Sequence, residues 1–176
     1  MQVRFRQSGV SLIEVLVAVL VFSIGLIGLA GLIVMSTRST QVGYLRTQVT
    51  FLANSMAERM SANPAALWTN KYDNTAYPVA AASAGCDTAA SACNAANLAV
   101  HDQQIWSGQL KAFLPNPSAS IKCDATNVSY NPGGNLPQRP PYGGNCLMKI
   151  SWTERGAGDK DNRGAATQTF AWNFQP

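Results

Sequence analysis

The chain has 176 residues, which is enough for one modest domain with its own core and short for a typical two-domain enzyme. Apolar residues make up 47% and charged residues 12%, and the net charge is only +4. Nucleic-acid-binding domains carry a dense basic stripe, so we expect no direct contact with nucleic acid. The low charge density favours an extracytoplasmic domain.

A long apolar run near the N-terminus predicts a membrane-spanning helix. Residues 15–35 contain no charge, and at about 1.5 Å per residue they can cross a hydrocarbon layer about 30 Å thick. Arg4 and Arg6 precede the run, and basic flanks stay in the cytoplasm. A secretory signal peptide is the alternative, but its apolar core is only about 7–15 residues long and ends at an A-x-A-like site. The sequence therefore predicts a single-pass inner-membrane protein with a periplasmic C-terminal part.

The stretch SGVSLIE at residues 8–14 joins the basic leader to the apolar run. It resembles the type IV prepilin signature, with matches at Gly9, Leu12, Ile13 and Glu14. The resemblance implies that a prepilin peptidase cuts after Gly9 on the cytoplasmic side and that Val10 becomes the N-methylated first residue. It also implies that the apolar helix stays in the mature protein. Val10 stands where this family usually has phenylalanine.

Glu14 is a carboxylate close to the start of the apolar run. A charge at the centre of a bilayer costs about 2.5–3.5 kcal/mol, so an intramembrane acid needs a partner. Cleavage after Gly9 would create a cationic α-amino group on Val10. The resemblance implies that Glu14 pairs with this amine on a neighbouring subunit during assembly. The alternative is an interfacial glutamate that reaches the lipid headgroups.

Three glycines, Gly25, Gly28 and Gly31, recur within the apolar run. Glycine costs about 1 kcal/mol relative to alanine in a helix interior. Two interpretations remain open: close packing of neighbouring helices, or a segment that melts and extends inside a filament.

Beyond Arg38 the apolar residues follow one helical stripe, with spacings of three and four. The stripe consists of Val42, Leu45, Val49, Leu52 and Met56. Asn63-Pro64 ends the pattern, because proline disfavours helix at the preceding residue. The sequence therefore predicts one helix from Val10 to about Ala62, half in the membrane and half covering a domain.

Residues 64–97 predict a connecting loop with at most a short helical turn, since large apolar residues are rare there. A second helix follows, with Asn97 as its cap and Pro115 as its stop. Its predicted apolar face contains Leu98, Ile105, Trp106, Leu110 and Phe113.

The last third alternates as β-strands do. Residues 146–154 and 167–174 are predicted strands, 120–130 is a weaker one, and Pro- and Gly-rich loops separate them. The inward faces are expected to carry Cys146, Met148, Ile150 and Trp152 on one strand and Phe170, Trp172 and Phe174 on another. Three antiparallel strands need a cover, and the stripe of the N-terminal helix supplies it. The predicted fold class is α+β, which is also what the resemblance to pilins implies.

All four cysteines lie after the apolar run, which fits disulfides in an oxidising compartment. Three pairings are possible. We favour Cys86–Cys93 and Cys123–Cys146, because each closes a loop with few other means of holding itself. A zinc site would need closer cysteine spacing and more histidine than His101.

No catalytic motif is present: there is no nucleophile elbow, P-loop or HExxH. His101 has no acidic or nucleophilic partner that the sequence identifies. Asp159 and Asp161 partly match a calcium loop, but its glycine and terminal glutamate are missing. We therefore expect no enzyme, no cofactor and no metal.

Two further stretches refine the resemblance: LANSMAERMSANPAA at residues 52–66, and Trp106, Leu110, Leu114 and Pro115 as W-x₃-L-x₃-LP. Both look like the PilV-type minor pilins, which are implied to prime assembly of a type IV pilus and to lie at its tip. The implied partners are the prepilin peptidase, other minor pilins, the major pilin and a tip adhesin. The implied organisation is a leader at 1–9, a membrane and assembly helix at 10–35 and a periplasmic domain at 36–176, which becomes extracellular on assembly. A minor pseudopilin of type II secretion is the alternative.

Overall fold

The computed structural model describes residues 9–81, 86, 93–130, 132–155 and 164–176. The chain divides after Thr40 into two compact units. The first unit contains the beginning of a long helix, α1 (Leu12–Ala62), whose remainder belongs to the second unit. The predicted helix is thus confirmed, beginning two residues later than expected and ending at Ala62 as expected. Pro64 then opens a short helix, α2 (Pro64–Trp68), where the missing N–H of proline does no harm.

The described residues of the rest of the second unit form a helix, four strands and a 3₁₀ helix. They follow in the order β1 (Asn74–Tyr77), α3 (Ala95–Phe113), β2 (Ser118–Asp124), a 3₁₀ helix (Gly133–Gln138), β3 (Asn145–Arg155) and β4 (Ala165–Phe174). The strands form one antiparallel sheet in the order β1-β2-β3-β4. The α+β fold, a long helix on a small antiparallel sheet, is confirmed.

The prediction of three strands was wrong by one. Strand β1 has only four residues and an irregular register against β2, so no alternating pattern marks it in the sequence. Strand β2 also ends at Asp124 rather than near residue 130, since an Asx turn follows, in which the Asp124 carboxylate accepts from the Thr126 N–H at 2.8 Å.

The core lies between α1 and one face of the sheet. From α1 it takes a stripe that includes Leu45, Val49, Leu52, Met56 and Met60. The first four were predicted, whereas Val42, the first residue of the predicted stripe, is only half-buried. From β3 it takes the predicted set Cys146, Met148, Ile150 and Trp152. Each fully buried aliphatic side chain contributes about 1.5–3 kcal/mol, so this contact carries much of the stability of the second unit.

Strand β4 covers the edge of the same core. Phe174 is buried, whereas Phe170 and Trp172 are half-buried and pack against the core from one side. They pair with Cys146, Ile150 and Met148 of β3 in a continuous register. The predicted shared face of these aromatic residues is confirmed, and Phe174, near the end of β4, is the most buried of the three.

Helix α3 differs from its prediction in two ways. Its N-cap is Asn94, whose side chain accepts from the Asn97 N–H at 2.8 Å, so Asn97 is the third helical residue and not the cap. Trp106 and Leu110 are buried as expected, but Ile105 and Phe113 are 37% and 39% exposed. The buried face instead contains the polar residues Asp102 and Ser107.

Candidate functional site

Gly9 and Val10 precede the first turn of α1 and are exposed. A Cβ built on Gly9 meets no atom within 4 Å, and its φ is not left-handed. Nothing in the described chain therefore requires glycine at this position.

Glu14 lies in the first turn of α1 and is exposed. The Ser11 carbonyl starts the helix by accepting from the N–H groups of Glu14 at 3.1 Å and Val15 at 3.3 Å. A carboxylate at this end interacts favourably with the helix dipole by about 0.3–1 kcal/mol. Within the described residues its side chain forms no hydrogen bond or ion pair, which leaves it available to an external cation.

The apolar part of α1 is uncovered. No charge lies between Glu14 and Arg38, the mean hydropathy of the most apolar window is 2.8, and none of that window is buried. Among the described residues this is the one helix long and apolar enough to cross a membrane. In water such a surface would be very unfavourable, so it needs lipid or other apolar helices around it.

Two polar side chains of this segment, those of Ser23 and Thr37, form hydrogen bonds to the helix itself. The Ser23 hydroxyl donates to the Val19 carbonyl at 2.7 Å, and the Thr37 hydroxyl lies 2.9 Å from the Val34 carbonyl and 3.2 Å from the Ile33 carbonyl. Because unsatisfied polar groups are costly in hydrocarbon, these bonds make the segment compatible with a membrane.

The three glycines of this segment remain within an unbroken helix. Cβ atoms built on Gly25, Gly28 and Gly31 meet nothing within 4 Å. The isolated chain therefore gives no steric reason for them, and both sequence interpretations concern contacts or changes that occur only in an assembly.

A buried polar network fixes the end of α1 to the globular unit. The Asp102 carboxylate accepts from Arg59 at 3.1 Å and from the Tyr72 hydroxyl at 2.7 Å. The Asn63 amide donates to the Tyr72 oxygen at 3.2 Å and to the Ala95 carbonyl at 2.8 Å. Burial, together with the hydrogen bond to Asp102 and its negative charge, raises the pKa of Tyr72 well above its ordinary value. The phenol therefore stays protonated and the network stays intact at physiological pH.

A second link joins the middle of α1 to α3. The Trp106 indole N–H donates to the Leu52 carbonyl at 2.9 Å, and Trp106 is fully buried. The next residue of α3, Ser107, accepts a hydrogen bond at its hydroxyl from the Val79 N–H at 2.9 Å. Force applied to this part of α1 would thus reach the globular unit through hydrogen bonds as well as through apolar packing.

Disulfides join Cys86 to Cys93 and Cys123 to Cys146, which are the pairs favoured from the sequence. Cys123 and Cys146 face each other across β2 and β3. Their Cα atoms are 4.0 Å apart, so the bond fixes the register at the ends of two core strands.

The other chemical candidates do not form a site in the described part of the chain. No group of three or more His, Cys, Asp or Glu side chains is placed to hold a metal ion there. His101 lies half-buried on α3. Asp159 and Asp161, the possible calcium ligands, fall outside the described residues.

Residues 4–30 match the family model of the prokaryotic N-terminal methylation motif. No curated protein and no solved structure has a significant match to the chain. The matched range contains Gly9, Val10, Glu14 and most of the uncovered apolar segment.

The Asp102 network was not predicted from the sequence, because the partners of Asp102 lie 30 and 43 residues away in the chain.

Proposed function

We propose that the protein is a minor pilin of a type IV pilus. The premise is that its N-terminal motif marks a type IV pilin or pseudopilin. The observation that carries the proposal is the two-part helix α1. Its motif-bearing beginning is apolar and uncovered, and its end is bound into the core of an α+β unit. Such a helix can anchor the protein in a membrane before assembly and can then pack against other subunits.

In this proposal residues 1–9 are a leader that a prepilin peptidase removes after Gly9, and Val10 is then N-methylated. Residues 10–35 form the membrane and assembly helix, and residues 36–176 form the periplasmic domain. The role is structural and not catalytic. The subunit acts early in assembly with other minor pilins and the major pilin, and it remains near the tip.

The finer PilV-type assignment is supported by residues that belong to the core. Trp106, Leu110 and Leu114, which carry the W-x₃-L-x₃-LP pattern, are all buried, and so are Met56 and Met60 of the LANSMAERM stretch. The residues that carry the resemblance are therefore residues that pack in the core. This supports a common domain architecture, and the role at the tip is proposed by extension from the family.

Deletion of the gene distinguishes a role in a type IV pilus from a role in type II secretion. We expect fewer surface pili and reduced twitching, restored by the complementing gene, while the amounts of proteins exported by type II secretion stay unchanged. Loss of type II export with normal piliation would identify a minor pseudopilin instead.

A second experiment tests the role of Glu14. Glu14→Gln removes the charge while keeping the shape of the side chain, so it should leave membrane insertion intact and reduce incorporation into sheared filaments several-fold. The loss of one desolvated charge pair, about 1–2 kcal/mol, corresponds to roughly 5–30-fold. Glu58→Gln is the matched control, because Glu58 is an exposed acid on the same helix. Equal incorporation of the Glu14 variant and the wild type would refute the pairing of Glu14 with a subunit amine.

A further inference from the structure

A cleft of about 710 Å³ opens beside the Cys123–Cys146 disulfide in the second unit. Its volume is in the range of small-molecule binding sites, about 300–1,000 Å³. The rings of Trp68, Tyr130 and Tyr142 line it. None of these residues belongs to the N-terminal motif, so the assembly function leaves the cleft unexplained.

The walls of the cleft are held in place by the fold. The Trp68 indole N–H donates to the Pro140 carbonyl at 3.2 Å, and its ring packs edge-to-face on Tyr142 at 5.0 Å. Gly144, just before β3, packs closely against two lining residues, Asp124 and Tyr142. A Cβ there would clash with the Asp124 carbonyl oxygen and would lie 2.8 Å from the Tyr142 hydroxyl. The Trp68 side of the cleft is therefore preformed, which lowers the entropic cost of binding there.

Two of the three rings are available to a ligand. Tyr130 is 52% exposed and Trp68 is half-buried, whereas Tyr142 is only 3% exposed and its hydroxyl has no hydrogen-bond partner among the described residues. Aromatic rings have an apolar face, and Tyr and Trp combine it with a polar group at the edge. Trp68 and Tyr130 thus offer stacking surfaces for a ligand with both apolar and hydroxyl-bearing faces.

The polar groups of the cleft favour a ligand that donates hydrogen bonds and carries no negative charge. Its cation, Lys122, is already paired with Asp73 at 2.9 Å. The Asp124 carboxylate accepts from the Thr126 N–H, and the hydrogen bonds from Thr126 lower the pKa of Asp124, so it stays an ionised acceptor with spare lone pairs. The Asn70 side-chain amide forms no hydrogen bond within the described residues and adds donors and an acceptor.

We propose that this cleft is a binding site for a neutral saccharide. The C–H face of a pyranose ring stacks on Trp68 and Tyr130, and ring hydroxyls bond to Asn70 and Asp124. A quaternary ammonium ion fits less well, because an aromatic cage encloses the cation at about 6 Å from each ring. Here the third ring is buried against Trp68, and the cleft is open and large.

Binding is tested on the full chain in lipid discs made without choline or sugar headgroups. The probes are N-acetylglucosamine, lactose, maltose and choline chloride. The readout is the indole N–H resonance of Trp68, assigned with Trp68→Phe. We expect at least one sugar to shift this resonance saturably, with a Kd between about 0.1 and 10 mM.

Three variants sharpen the result. Tyr130→Ala removes a stacking surface and should weaken binding about fivefold. Asn70→Gly removes the amide while keeping the left-handed backbone at φ 55° and should weaken it by a similar factor. Tyr44→Ala is the matched control, because Tyr44 is 54% exposed and is not among the residues that line the cleft.

The proposal is overturned if no sugar produces a saturable shift, if only choline does so, or if Tyr44→Ala weakens binding as much as Tyr130→Ala. The measurement needs no filament, so its result is independent of whether the protein is assembled into a pilus.

Discussion

The two halves of helix α1 differ in what surrounds them. In the first half, leucine, valine and isoleucine occupy every face and all are exposed. In the second half, apolar residues keep to one stripe, and that stripe is buried against the sheet. A helix that is apolar on all sides needs an apolar environment on all sides, whereas one with a single stripe needs one partner. The same secondary structure thus serves an external assembly at one end and an internal core at the other.

The matched pair Leu52→Ala and Leu26→Ala should show this contrast most strongly. Leu52 is fully buried, so its truncation leaves a cavity and lowers the free energy of unfolding of the globular unit by about 2–5 kcal/mol. Leu26 is 49% exposed on the uncovered half, and we expect no change in the same measurement. Denaturant unfolding of the full chain in lipid discs, followed by tryptophan fluorescence, measures both. Equal losses would contradict the division of the helix.

Asp102→Ala tests the network that fixes the covered half. It removes the acceptor of the Arg59 guanidinium and of the buried Tyr72 O–H, while Asn63 still donates to the Tyr72 oxygen. Breaking a buried pair costs about 3–5 kcal/mol, and because the Arg59 side chain is 29% exposed, we expect about 2–3 kcal/mol. Glu58→Ala, an exposed acid on α1, should change the free energy of unfolding by less than about 0.5 kcal/mol. A loss below 1 kcal/mol for Asp102→Ala would show that the network contributes little.

High pH should lower the free energy of unfolding of the globular unit, which contains the covered half of α1. Burial raises the pKa of both Tyr72 and Tyr77 above the ordinary value of 10.0. Above pH 10 the unfolded chain loses these protons while the folded chain keeps them, so the free energy of unfolding falls as pH rises. We expect a decline of up to about 1.4 kcal/mol per pH unit for each tyrosine. Tyr77→Phe should reduce this slope, and an unchanged slope would show that Tyr77 does not titrate differently in the two states.

Gly28→Ala should have the smallest effect on the isolated protein. A Cβ at Gly28 meets no atom within 4 Å, and the same is true of Gly43 in the second unit, the matched control. Gly28→Ala should shift the free energy of unfolding of the globular unit by less than about 0.5 kcal/mol. Gly43→Ala, within the part of α1 that belongs to this unit, should raise it by up to about 1 kcal/mol, because alanine is the better helix former. Comparison of their incorporation into filaments then tests whether assembly needs glycine in the apolar segment. Both interpretations predict a specific loss for Gly28→Ala, because a Cβ blocks close helix packing and alanine opposes melting of the helix, and equal incorporation contradicts both.

Local patterns made much of this structure predictable. The spacing of Leu45, Val49, Leu52 and Met56 predicted both the helix and its buried side, because a period of 3.6 residues reflects one covered face. The alternation from Cys146 to Trp152 did the same for β3. Gly9 and Glu14 were found from the motif alone, since their surroundings in the folded chain do not distinguish them.

The features that the sequence did not reveal depend on distant partners. Strand β1 exists through its pairing with β2, and its four residues carry no pattern of their own. Asp102 and Ser107 look like surface residues on α3, yet both are buried because Tyr72, Arg59 and the Val79 N–H satisfy them. Ile105 is exposed because the buried face of α3 contains these polar residues instead. The cleft was likewise invisible, because it combines α2, β2 and the segment before β3.

The central claim is that the chain is cut after Gly9, that the uncovered half of α1 stays in the mature protein, and that neighbouring subunits then cover it. Mass spectrometry of the N-terminal peptide from purified surface filaments tests it most directly. The account predicts a mature chain that begins at N-methylated Val10. Assembled protein that still begins at Met1, or a chain cut beyond the apolar segment, would contradict it.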